Sequence, residues 1–167
     1  ASHTILVCEL RWMLQPGDPR EVQHRKKACW EKVAQLSRKV QWLRTRKRHA
    51  LDLLGIPTSG VEEWQIEGIV VIKTFGGALS RSAEYPIMTE RVFSQGIQHA
   101  SSLRHLVDWS QSLCWLPQEN IHFRIVPQDV HLSALGKQLS THGMEKLCSS
   151  RRYAEFVEKS LQKAISA

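Results

Sequence analysis

The chain has 167 residues, 42% of them hydrophobic and 23% charged, with 23 Lys and Arg against 16 Asp and Glu for a formal net charge of +7. Those values suit one globular domain with an adequate core and exclude a largely disordered chain. No run of about 18 apolar residues exists to cross a membrane as a helix, and a basic balance makes polyanions the natural partner class.

Thr4–Trp12, TILVCELRW, is the first predicted strand. The near-continuous apolar run Ile5–Cys8 predicts burial on both faces, as in a sheet covered by helices. Glu9 and Arg11, two apart, then project to one side of it. The first strand begins at once, without a leading Met, so a shortened N-terminus is expected. No secretion signal is visible, so a cytoplasmic location and reduced cysteines are expected. Cys8, Cys29, Cys114 and Cys148 show no metal-ligand spacing and read as small buried hydrophobes.

Gln15–Pro19 is a loop. Asp18, Pro19 and Glu21 form a helix start of the capping-box kind. From Arg20 to Leu54 an apolar stripe of Val22, Cys29, Val33, Leu36, Val40, Leu43, Ala50 and Leu54 predicts one long helix, kinked or split, that stops at Gly55 with Pro57 beyond. Trp64–Phe75 is the second strand, followed by a loop from Gly76 to Ser82. Thr89–Gln98 and Ser102–Leu113 are helices, Asn120–Pro127 a third strand extending toward Leu132, and Ser149–Ile165 an amphipathic terminal helix. No linker divides the chain, so residues 1–167 are expected to be one domain, with a core at 4–74 and additions over 75–167.

Two features point to chemistry. Glu9 and Arg11 follow four apolar strand residues, and a charged pair there must be satisfied by something. A carboxylate beside a cation suits phosphodiester hydrolysis, where the acid holds a metal and the cation stabilises developing negative charge. A solvated strand end or a structural Glu–Arg pair explains the pattern equally well. The second feature is the long helix, which carries eleven Lys or Arg between Arg20 and Arg48 against two acids, Glu21 and Glu31. Arg25, Lys26, Lys32, Arg38, Lys39, Arg44, Arg46, Lys47 and Arg48 are the candidate phosphate contacts, the alternative being a merely solvated face. Gln35 lies beside the apolar stripe, where it either points to the sheet or sits on the surface. Glu67 and Lys73 on the second strand are weaker candidates, and no histidine pairing suggests a metal site.

The stretch LVCELRW, the Pro/Gly/Asp loop and a long helix containing EKVAQL resemble the core of the PD-(D/E)XK, or restriction-endonuclease-like, nucleases over about residues 4–74. The resemblance implies an α/β fold with a small mixed sheet flanked by helices, and DNA hydrolysis dependent on Mg²⁺. It implies roles for Glu9 as metal ligand, Arg11 as the charge-stabilising cation, and Gln35, less so Glu21, near the site. Two departures stand out. Arg11 occupies the position where that family has Lys, and a guanidinium cannot act as a base. The family's first metal-binding Asp precedes this strand, and Ala1–Thr4 contain none. The alternative expectation is a non-catalytic nucleic-acid-binding or protein-interaction domain on the same fold.

Overall fold

A computed structural model describes residues 3–14, 17–73, 77–132 and 137–165. The expected strand end at Thr74 and Phe75, and loop positions Gln15, Pro16 and Gly76, lie outside the described residues.

Strand β1 spans Thr4–Trp12. Helix α1 follows over Pro19–Thr45, with Asp18 at its N-cap accepting from the Glu21 amide at 2.8 Å. The reciprocal contact goes one residue further out than in a standard capping box: Glu21 accepts from the Gly17 amide at 2.7 Å. The expected long helix is split, the break falling at Arg46. The Thr45 hydroxyl donates back to the Trp42 carbonyl at 2.9 Å, and the Arg46 amide closes on Leu43 rather than Trp42. Helix α2, Lys47–Leu53, continues beyond the break. It ends in a Schellman motif: Ile56 N–H donates to Leu51 O at 2.9 Å and Gly55 N–H to Asp52 O at 3.0 Å. Gly55 sits at φ 66°, the left-handed conformation that glycine adopts without penalty.

Strand β2, Gln65–Lys73, pairs in parallel with β1 from Thr4↔Gln65 to Trp12↔Lys73. A 3-10 segment, Gly77–Ser82, leads to β3, Ile87–Thr89, which pairs in parallel with the other edge of β2. Buried Ser80 holds β3 in place, accepting from Ile87 N–H at 2.7 Å and donating to Ile87 O at 2.8 Å. Helices α3, Glu90–His99, and α4, Leu103–Ser112, fall on the expected spans and are capped by Thr89 and Ser102. An antiparallel pair, β4 (Phe123–Leu132) and β5 (Lys137–Lys146), forms a separate sheet, and α5 spans Ser150–Ile165.

The chain is therefore mixed α/β, with a three-stranded parallel sheet in the order β1-β2-β3 and a detached antiparallel pair. The single mixed sheet expected from sequence is two sheets. The strand expected near Asn120–Pro127 joins β5 rather than the central sheet, whose third strand is β3.

Helix α1 covers one sheet face with Cys29, Val33, Leu36 and Val40 against Ile66, Val70 and Ile72. The other face packs Ile69, Val71 and Met88 against Leu106, Trp109, Trp115, Val157 and Leu161 of the α3–α5 layer. The buried indoles keep their polar ends satisfied, Trp109 donating to Ser160 and Trp115 to the Ser110 carbonyl, each at 3.0 Å. β2 is the buried central strand. β1 is an edge strand packed on both faces, Ile5 and Val7 on the α1 side and Leu6 on the other, but its burial is partial and Cys8 is exposed. Of the four cysteines only Cys29 is fully buried, and all are free thiols. No helix among the described residues is long and apolar enough to cross a membrane.

Candidate functional site

Alternation along β1 turns Ile5 and Val7 toward α1, where both pack on the Leu36–Val40 side of the core. Glu9 follows on the same face and is buried beneath the helix, 6% exposed. A lone buried carboxylate there would be costly, and α1 supplies its partners. Lys32 donates to Glu9 Oε1 at 2.7 Å, and Lys39 donates to Oε2. Lys32 also donates to Gln35 Oε1 at 2.8 Å. Positions 32, 35 and 39 recur at helical spacing, so one side of α1 holds all three groups over a single acid. Burial pushes the Glu9 carboxyl upward, but the hydrogen bonds and charges of the two lysines outweigh it and hold its pKa below the ordinary glutamate value.

The structure thus brings Glu9 and Gln35 into one cluster, bridged by Lys32. Arg11 stays outside it. It is exposed near the end of β1, and among the described residues no ion pair joins it to Glu9. The expected Glu9–Arg11 pair is replaced by a Glu9–Lys32/Lys39 pair, because ammonium groups reaching down from the covering helix meet the buried carboxylate directly. Glu21 is occupied at the helix start with Gly17. Glu67 faces Arg44 and Gln111, each at 3.5 Å, and Lys73 lies 4.0 Å over the Trp12 ring and 3.9 Å from Glu90, so these two do not meet.

The cluster does not fit Mg²⁺. Hard divalent cations take several oxygen ligands, and Glu9 is the only acid of this cluster, with each of its oxygens facing an ammonium group. No group of three or more His, Cys, Asp or Glu among the described residues is placed to hold a metal.

The basic residues of the helix do not form one continuous stripe. Lys32 and Lys39 neutralise Glu9. Arg44 clamps the Ile66 carbonyl through Nε at 3.0 Å and Nη2 at 2.8 Å, tying the end of α1 to the start of β2. Lys47 donates to the Glu62 carbonyl at 3.3 Å. Arg25 and Lys26 are half-buried, with Arg25 Nε lacking a partner. Arg38 and Arg48 are exposed, and the Arg46 guanidinium lies 4.9 Å over the Trp42 ring.

What sequence reasoning missed is a groove of about 530 Å³ where α1 overhangs the edge strand, lined by Val7, Gln35, Arg38, Lys39, Trp42 and Leu43. Its floor is apolar, its rim carries Arg38 and Lys39, and no acid lines it. Trp42 also borders an adjoining depression with Ser37, Arg38, Gln41 and Thr45. The spacing of Gln35, Lys39, Trp42 and Arg46 puts them on one helix face, a signal present in the sequence. Only the placement of β1 turns that face into a groove. Comparison with protein-family models, with curated proteins and with solved structures returned no match.

Proposed function

We propose that this chain is a non-catalytic nucleic-acid-binding domain built on a restriction-endonuclease-like β1–α1–β2 unit, using the β1–α1 edge to engage a phosphate backbone. The observation that carries this reading is the neutralisation of Glu9 by Lys32 and Lys39, which offsets the acid beneath the groove, while Arg38 lines the groove and Arg46 lies over the Trp42 ring, both exposed. Exposed cations raise the local concentration of polyanions and release counterions on binding. Fluorescence anisotropy with labelled DNA in EDTA, measured against salt, tests it. Binding should weaken steeply with salt, and Arg38→Gln and Arg48→Gln should each reduce the slope of log K against log[salt] by about 1. Metal-free binding that ignores salt, or is absent, removes the proposal.

A hydrolytic reading is the second proposal, favoured by the union of Glu9 and Gln35 in one cluster, as the resemblance implies. It requires acidic ligands beyond those described. Cleavage of DNA in Mg²⁺ or Mn²⁺ by the protein, abolished by Glu9→Ala, would support it over the binding reading.

A further inference from the structure

Trp42 is 45% exposed in the last turn of α1, whose other exposed large apolar side chain is Trp30, 39% exposed. Burying that indole in the chain's own core is prevented by its position, since it lies on the Gln35–Lys39–Arg46 face rather than with Leu36 and Val40. Its surroundings are built from two kinds of group. Val7, Leu43 and the indole make an apolar wall, while Arg38 and Lys39 line the same groove and Arg46 stacks on the ring. His49 approaches the indole edge-on, with centroids 6.2 Å apart.

A duplex presents mainly phosphates to a protein edge of this kind and keeps its bases stacked inside. It can engage the arginines but has nothing to place against an apolar wall. A single strand offers a charged backbone and unpaired flat bases together. Aromatic platforms flanked by cations bind such strands, because every base has a π-face and stacking adds to phosphate contacts. An acidic amphipathic peptide also has charge and apolar surface. Arg46, with its guanidinium 4.9 Å over the Trp42 ring, however, gives the indole a flat cationic neighbour, a surface better suited to a further flat ring than to an aliphatic side chain.

Resting on the nucleic-acid reading above, we infer that the groove takes a single-stranded segment, with one base stacked in the Trp42 groove and a flanking phosphate on Arg38, beside the net-positive Glu9–Lys32–Lys39 cluster. The test uses the full chain with a single-stranded oligothymidine of about ten nucleotides, a length within the usual site sizes. A duplex of equal length and an acidic leucine-containing peptide serve as comparisons. Trp42→Ala should weaken oligothymidine binding about 5- to 50-fold and duplex binding less than about twofold. Trp42→Phe, which keeps a stacking ring, should recover most of the loss. A 5-iodouracil-substituted oligonucleotide should photo-cross-link to the tryptic peptide containing Trp42, a readout that does not depend on any variant folding. Equal losses for single strand and duplex, cross-linking elsewhere, or peptide binding at the groove without oligonucleotide preference would each overturn the inference. If duplex and single strand bind equally and Trp42→Ala changes neither, the stacking fails while the backbone-binding reading survives. If nothing binds in EDTA, the earlier reading fails first.

Discussion

Glu9→Gln isolates the ion cluster at the heart of the β1–α1 unit. The substitution keeps the shape and one carbonyl acceptor but removes the charge that two lysines face. Breaking a fully buried pair costs about 3–5 kcal/mol, and exposed pairs are worth about 0–1 kcal/mol. The Lys39 side chain is 57% exposed and turns to water at little cost, whereas that of Lys32 is 18% exposed and stays largely enclosed. The loss therefore falls mainly on the Lys32 contact, and about 2 kcal/mol is expected at neutral pH. In a domain of this size that lowers the melting temperature by about 4–8 °C. The pH dependence carries an independent signature. The folded Glu9 pKa lies below the unfolded value of about 4.3, so its contribution is complete above that value and is lost as pH falls through the folded pKa. The gap between wild type and Glu9→Gln should be constant from pH 6 upward and close progressively below about pH 4.3. Urea titrations at several pH values, read by far-UV circular dichroism, measure both. A cycle with Lys32→Met separates the pair from the effects of either change alone. A Glu9→Gln variant more stable than wild type at pH 7 would refute the reasoning. That result is what a strained, function-bearing acid gives when removed, and it would return Glu9 to the catalytic column.

Two further outcomes follow from packing. Gly96→Ala on α3 gains about 1 kcal/mol of helix propensity, but its Cβ would stand 2.7 Å from Leu106 Cδ1 and 2.7 Å from the ring of fully buried Trp109. The clash wins, and chemical denaturation should show a net loss of about 1–2 kcal/mol; a stabilised variant would mean that this layer has slack. Cys29 is fully buried and burial pushes its thiol up to about 11, so thiol reagents at pH 8 should leave it unmodified in the native protein, as read by mass spectrometric mapping. Labelling of Cys29 as fast as the exposed Cys8 would contradict that burial.

Local signals carried well from sequence to structure. The strand Thr4–Trp12, the helix start at Asp18 and the stop at Gly55 each depend on a few adjacent residues, and each is where its residues point. The failures are tertiary. β3 has three residues and is held by Ser80, seven positions earlier, through contacts that no periodicity announces. β5, KQLSTHGMEK, lacks alternation and a clear β-propensity, and pairing with β4 alone defines it. At the site, adjacency on the strand suggested Arg11 as the partner of Glu9. The actual partners lie 23 and 30 positions away, on the helix that folds back over the strand. Gln35 was legible because its place beside the apolar stripe already fixed its side of the helix.

The charge of the Glu9 cluster decides what approaches this edge of the molecule. One carboxylate with two ammonium groups sums to −1 + 2 = +1, the opposite sign from a centre that gathers a divalent cation. A +2 ion about 5 Å from a net +1 cluster meets a repulsion of about 6 kcal/mol at an effective dielectric of about 20, which solvent around Lys39 reduces without reversing. A phosphate at the same distance is attracted. Arg38 in the groove and Arg46 at the C-cap of α1, about two turns further on, carry the same sign, so their fields add to that of the cluster rather than cancelling it. Nothing in this balance depends on the total of +7. Acids elsewhere offset other basic residues, Glu67 on Arg44 and Glu90 on Lys73, and none of them lines the groove. The Glu9 cluster is therefore a net positive centre, and for a divalent cation to be favoured there the chain would have to bring further carboxylates to the same side of α1.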